Sequence, residues 1–399
     1  MPAYPTNMSL RTCALGALVM SVVATVSADE VGPARLTEAL RAQPDQVYTF
    51  VIGFAEGVEP GAERLPMARG QVEGIRLLRG MVTAMQVSDA FALAGRGDVR
   101  WIWYLHPEEA PGTVAVLKGL DYAVAALPLP NLANLSLGPP TSFYRETPDL
   151  DAPVPRALRA AAEQGLIVVA AVGNQGVTAP GFVNPWSMPP WVIAVGAWDH
   201  RTGGVWSGSS TARPDVVEAW PDVVAPGVDV IAPWTAARGK PGRRRAYDES
   251  SERFRETVPE EDWDKYTMMT GTSQATAVVS GAAAQVLRYL NGFIEEYGRR
   301  SGDPLFELKA GPDRIDAYDL SAPRLTGTAT PRDDGGVTYA YTLDVPWKLI
   351  KQILIDTAVP VTSAQPWQAG AGRIDPDYIR MQFGTYGVEP PKLMPVKVR

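Results

Sequence analysis

Three apolar runs constrain what this chain can fold into more than any other feature. They are "LIVVAAVGNQG" (166–176), "WVIAVGAWD" (191–199) and "PDVVAPGVDVIAP" (221–233), each cut off by glycine or aspartate. Strands that are apolar on both faces belong to a parallel sheet covered by helices on both sides. The segments between and around the runs supply those helices: "GTVAVLKGLDYAVAALP" and, started by proline, "APVPRALRAAAEQG" (152–165). "LANLSLG" (132–138) reads as a further buried strand, "PWKLIKQILIDTA" (346–358) as an amphipathic helix, and "AGAGRIDP" (369–376) closes the domain. The expected fold class is α/β, doubly wound around a mainly parallel sheet, whose chemistry gathers at the carboxyl ends of the strands.

Residues 46–107 have a different texture, that of a compact α+β unit. "VYTFVIGF" (47–54) is strand-like, "LPMARGQVEGIRLLRG" (65–80) has helical spacing, "MVTAMQVSDAFAL" returns to strand, and "VRWIWYLHP" (99–107) ends as a strand. Two polar stretches interrupt the α/β part. Residues 238–266 mix both charge signs and read as a solvated loop or helix, and residues 291–341, with "TPRDDGG", read as a hairpin or loop.

The first 28 residues carry Arg11, the apolar run "ALGALVMSVVATV" and a small-residue "VSA" site, the pattern of a signal peptide for secretion or delivery to the periplasm. The run is short for a bilayer span, so no membrane association is expected after cleavage. The single cysteine, Cys13, lies inside that segment, which leaves the mature chain without disulfides. The chain has 399 residues, and its 37 Lys and Arg against 44 Asp and Glu give a net charge of -7 with no long basic block. Nucleic acid is therefore not an expected partner.

Ser273 stands in "TGTSQATAVVSGAAAQVL", where a glycine-led turn becomes a helix of small residues. Such a helix can lie close under a sheet and aim its free N–H groups at the serine, a geometry suited to acyl transfer. The same residues also fit a serine capping a buried alanine-rich helix. Asn174 follows a buried strand, where its amide can donate to a developing oxyanion, and the backbone of Ser136, Leu137 and Gly138 can pair with an extended peptide.

In order and rough spacing, "NLSLG", "VVAAVGNQG", "VIAVGAWD", "DVVAPGVDVIAP", "GTSQATAVVSG" and "QAGAGRID" resemble the C-terminal two thirds of a subtilisin-like serine peptidase, the subtilase family. The resemblance implies Ser273 as nucleophile and Asn174 as oxyanion donor. It also implies Ser136 to Gly138 as the edge aligning a substrate strand, and residues 170–173, with Ala171 and Gly173, as a wall of the pocket for the residue before the scissile bond. Ala277 and Val278 depart from the family's usual proline and histidine without touching the chemistry. The segment before 111 resembles the family's inhibitor-like propeptide. The implied organisation is a signal peptide (1–28), a propeptide-like α+β domain (29–110), a truncated subtilisin-like domain (111–378) with the two insertions, and a tail (379–399). No cofactor is identifiable from the residues, and the resemblance leaves calcium open.

One departure is serious. The family's triad runs Asp, His, Ser, and neither "D-[ST]-G" nor "H-G-T-H-V-A-G" is present. Only two histidines exist, His106 at the end of the propeptide-like part and His200 after "GAWD". Removing the histidine of subtilisin costs about a millionfold in turnover, and binding with the oxyanion hole retains about 10³ to 10⁴ over water. The expected function is thus a peptide- or protein-binding pseudopeptidase. The alternative is an endopeptidase whose base comes from His106 or a partner chain, and a third class is a propeptide-type inhibitor or folding assistant. Without the missing strands, residues 132–138 become a sheet edge open to another chain.

Overall fold

A computed structural model describes residues 36–126, 131–214, 220–233, 252–263, 265–301, 326–331, 337–342 and 347–379. The expected signal segment with Cys13, and the tail beyond 379, lie outside the described residues. The chain divides into two compact units, residues 1–111 and 112–399.

In the first unit β1 (Val47–Phe54), β2 (Glu73–Ile75), β3 (Gly80–Gln86) and β4 (Val99–Leu105) form an antiparallel sheet in the order β2-β3-β1-β4. A short helix α1 (Glu38–Arg41), capped by the Thr37 hydroxyl, precedes it, and α2 (Val87–Ala94) packs on it. Phe50, Ile52, Met85, Leu93 and Ile102 are fully buried between sheet and helices. Two expectations are corrected here. Residues 65–80 are not a helix: Gly70 and Gly74 weaken one, and Glu73–Ile75 pairs with the edge of β3 instead. The "MVTAMQVSDAFAL" run is strand only to Gln86, where Val87 starts α2 with Asp89 in its first turn.

In the second unit β5 (Asn131–Leu135), β6 (Leu166–Ala171), β7 (Val192–Asp199) and β9 (Val223–Pro226) run parallel in the order β5-β6-β7-β9. The two-residue β8 (Gly204–Val205) folds back beside the end of β7. Every residue of β6 is buried, so both of its faces are covered, as the continuous apolar run requires. The helices α3 (Ala110–Ala126), α4 (Pro153–Glu163), α5 (Glu252–Thr257), α6 (Thr272–Ser301) and α7 (Trp347–Asp356) follow in chain order. Of these, α6 crosses β5, β6, β7 and β9, and its Ala275, Val279, Ala283 and Val286 are fully buried. Small residues at three-to-four spacing let the helix axis approach the sheet closely.

The two edges of the sheet differ. Residues 372–374 close the β9 edge: Val224 N–H donates to the Gly372 carbonyl at 2.9 Å, and Ile374 N–H to the Val224 carbonyl at 2.8 Å. Arg373 and Val359 exchange two further backbone bonds outside it. Strand β5 pairs only with β6 among the described residues. It is accordingly less buried than a central strand: Leu135 is buried, but Leu132 and Ala133 are half-buried and Asn134 is exposed, a correction to the buried strand expected there.

The described parts of the polar insertions carry more structure than expected. Phe254 on α5 is fully buried with Val258, Met268, Ile231 and Trp263, beside the antiparallel pair β10 (Val230–Pro233) and β11 (Tyr266–Met269). Helix α6 runs on to Ser301, past the expected start of the second insertion, and β12 (Thr326–Pro331) pairs antiparallel with β13 (Val337–Thr342), the hairpin of the two forms expected there. A short α8 (Pro366–Ala369) precedes the closing segment.

The packing of α6 makes one substitution decisive. Ala283→Leu forces three extra carbons into a closed helix–sheet contact and should destabilise the unit by about 1–3 kcal/mol, read as a lower urea midpoint with an unchanged slope.

Candidate functional site

The carboxyl ends of the parallel strands and the amino end of α6 meet at Ser273. Two contacts fix the turn that carries it. Gly271 N–H donates to the Gly227 carbonyl at 2.8 Å, just past the end of β9. Gly227 itself must be glycine, because a Cβ there would lie 2.6 Å from the Ala197 methyl and 2.9 Å from the Gly271 oxygen. The second contact comes from β6. Asn174 Oδ1 accepts from both the Thr272 backbone N–H and the Thr272 hydroxyl, each at 2.9 Å. A side chain from the neighbouring strand thus caps the first N–H of α6, which otherwise lacks a partner.

That cap also orients the amide. With Oδ1 committed to Thr272, the Asn174 Nδ2 hydrogens are left as donors on an exposed side chain, and Nδ2 makes no hydrogen bond among the described residues. Such a donor near a helix amino end is available to a developing negative charge.

Ser273 is half-buried, and its Oγ has one hydrogen-bond partner among the described residues, the Ser136 carbonyl at 3.5 Å. The Ser136 hydroxyl lies within reach of Asn134 Oδ1 at 2.8 Å and of the Ser273 carbonyl at 3.0 Å, and with a single proton serves one at a time. Strand β5 and the head of α6 are therefore tied in both directions.

Each of the two histidines has hydrogen-bond partners of its own. In the first unit His106 Nδ1 accepts from the Glu108 backbone N–H at 3.3 Å, and the His106 carbonyl accepts from the N–H groups of Glu109 and Ala110 at the start of α3. His200 sits in the turn after β7 with Nδ1 3.4 Å from the Arg253 guanidinium.

The walls expected to flank Ser273 are brought together. Leu135 pairs with Ala170, so Ser136, Leu137 and Gly138 leave β5 beside the end of β6, where Ala171 and Gly173 lie. Asn184, 1% exposed, spans them: its Nδ2 donates to the Leu137 carbonyl at 2.9 Å and the Ala171 carbonyl at 2.8 Å. Gly173, at φ 103°, carries the ring of Tyr144 on its open face. Burial pushes the Tyr144 phenol pKa upward, so it stays a neutral hydroxyl. Sequence reasoning missed both Asn184 and Tyr144, because neither lies in an apolar run nor beside the motif residues they touch.

A charged clamp, also unforeseen, sits behind the turn. The Arg201 guanidinium donates to both oxygens of Asp199, at 3.0 and 3.1 Å, and to Asp229 at 3.1 Å. Asp229, held at a positive φ of 51°, receives the Thr270 hydroxyl at 3.2 Å and donates its N–H back to it at 2.9 Å. The hydrogen bond from Arg201 holds the Asp199 carboxyl below the ordinary carboxylate value of 3.8. Among the described residues no three His, Cys, Asp or Glu side chains come together as a metal site.

Residues 113–300 match the model of the subtilase family. This segment is a subtilase domain. The chain is also similar to several solved structures. A mutant of the protease domain of PatA is 18% identical over 70% of this chain and 67% of that chain, with a TM-score of 0.38. The patellamide maturation protease PatG is 15% identical over 70% and 57%, also at 0.38. A cold adapted subtilisin-like serine proteinase is 22% identical over 44% and 48%, at 0.30. No curated protein matches the chain.

Two outcomes are expected of the subtilase domain. Asn174→Ala removes the cap of α6 and should cost about 1 kcal/mol, whereas Asn174→Asp keeps the acceptor and should hold stability near the parent. Urea midpoints compared across the three proteins check it. Asp199 binds its proton less tightly folded than unfolded, so its contribution is complete above pH 3.8 and is lost as pH falls through the lower folded value. Asp199→Asn should therefore flatten the acid limb of midpoint against pH between about 5 and 2.

Proposed function

We propose that the subtilase domain binds extended peptides or protein segments and does not cleave them at the family's rate. The observation carrying this reading is the hydrogen-bond environment of Ser273 Oγ, whose partner among the described residues is a backbone carbonyl rather than an imidazole. A serine hydroxyl acts as a nucleophile when an adjacent base takes its proton. A carbonyl cannot take it.

Ser273 and Asn174 are proposed as the remains of the catalytic group, the hydroxyl contacting the ligand's carbonyl and the Asn174 amide donating to its oxygen. Ser136, Leu137 and Gly138 are proposed to align the ligand strand, and the β5 edge to pair with a second chain. The closed β9 edge supports the last assignment, since among the described residues it leaves β5 as the side of the sheet where a strand can add. Export to the periplasm or the medium is proposed from the first 28 residues. Among the described residues no helix is long and apolar enough to cross a membrane.

Labelling by a fluorophosphonate probe tests the reading. The expected rate at Ser273 is at least about 10³-fold below that of an ordinary serine hydrolase, and casein should remain uncleaved by the parent and by His106→Ala alike. Labelling at an ordinary rate, or cleavage abolished by His106→Ala, would overturn it in favour of a working endopeptidase.

A further inference from the structure

We infer that Tyr144 closes the side-chain recess beside Ser273, so that the cleft selects a peptide with glycine at the residue whose carbonyl faces that serine. The inference rests on the peptide-binding reading and adds the class of ligand.

A carbonyl presented to Ser273 Oγ lies next to Ser136, whose own carbonyl is 3.5 Å from that hydroxyl. On the peptide-binding reading, the side chain of the presented residue enters the gap between the ends of β5 and β6, where Leu137 and Ala171 lie. Three observations show that the gap is already filled by this chain. Asn184 Nδ2 reaches Leu137 and Ala171 at once, which holds the two walls within the span of one amide. The face of Gly138 abuts the Asn184 carboxamide, all three of whose terminal atoms lie 3.1 Å from where a Cβ would stand. The face of Gly173 abuts Tyr144: a Cβ there would lie 2.3 Å from Cε2 and 2.8 Å from the phenol oxygen.

Tyr144 is not a loose surface ring. It is 8% exposed, and the next residue, Arg145, exchanges backbone hydrogen bonds of 3.0 and 2.8 Å with Val183, the neighbour of Asn184. The loop that carries the ring is therefore pinned to the segment that carries the amide. With protein atoms in contact on both walls, any ligand side chain must displace the ring, and a residue without a side chain need not. Interiors packed at this closeness do not yield by small shifts.

Two probes separate the recess from the ligand. The first is p-cresol, the side-chain analogue of tyrosine. Tyr144→Gly should be stabilised by millimolar p-cresol, read as a rise in melting temperature, whereas the parent and Tyr144→Phe should not respond. The second is a pair of fluorescein-labelled alanine heptapeptide aldehydes ending in glycinal or phenylalaninal, whose terminal carbon fixes the register at equilibrium by reversible addition of Ser273 Oγ across the C=O bond, the hydroxyl proton passing through water to the new hemiacetal oxygen. The parent should bind the glycinal at least tenfold more tightly by anisotropy, and Tyr144→Gly should lose or invert that preference.

Absence of a p-cresol response in Tyr144→Gly overturns the filled recess. So does equal binding of both aldehydes by the parent. A p-cresol response with no aldehyde bound by any of the proteins supports the filled recess and overturns the peptide-binding reading instead. Should Tyr144→Gly not fold, as judged by circular dichroism, Tyr144→Leu carries the aldehyde comparison with the same expected loss of preference.

Discussion

The double acceptance by Asn174 Oδ1 from Thr272 is the contact on which the placement of Ser273 against the sheet depends. It joins the end of β6 to the first turn of α6, so the central helix starts where the sheet's chemistry would gather. A helix amino end buried without partners costs free energy for each unmet N–H. Here one amide meets the first of them and in doing so turns its own hydrogens outward. The structural role and the chemical geometry of Asn174 are two consequences of one orientation.

The turn before Ser273 is held by pieces distant in sequence. Gly227 lets the loop after β9 approach closely enough to accept from Gly271, and Arg201 joins the end of β7 to Asp229 and through it to Thr270. The non-glycine positive φ at Asp229 is a conformation that costs roughly 1–3 kcal/mol unless surrounding bonds impose it. Two bonds to Thr270 and one from Arg201 do so. The exposure of Arg201 limits what any one of these pairs adds by itself, but together they connect three strand ends to the residue before the turn.

Legibility in the sequence followed burial. The runs forming β6 and β7 were readable because a strand covered on both faces must be apolar at every position, and α6 because small residues repeat at helical spacing. Strand β5 was readable as a strand but not in its burial, since an edge is set by which neighbours are missing rather than by its own composition. The helix expected over residues 65–80 failed because the pairing of three residues with β3 outweighed local spacing. Phe254, inside the most charged segment of the chain, shows the converse: a single aromatic can nucleate a small core that charge counts conceal. Ser273 and Asn174 were found as motif residues, whereas Tyr144, Asn184 and Arg201 act through contacts made only in three dimensions.

The persistence of a catalytic-looking motif has to be weighed residue by residue. Asn174 caps α6, Gly227 permits a close approach, and Thr272 fills the capping site, so each of the three has a use in the fold itself. Ser273 is different. Its hydroxyl makes one long contact to a carbonyl on a half-buried position, which adds little to stability. Folding therefore accounts for the frame around the serine and not for the serine itself. A hydroxyl at the focus of that frame, next to an outward-facing amide donor and a strand edge that pairs on one side among the described residues, is what the proposed ligand contact would account for.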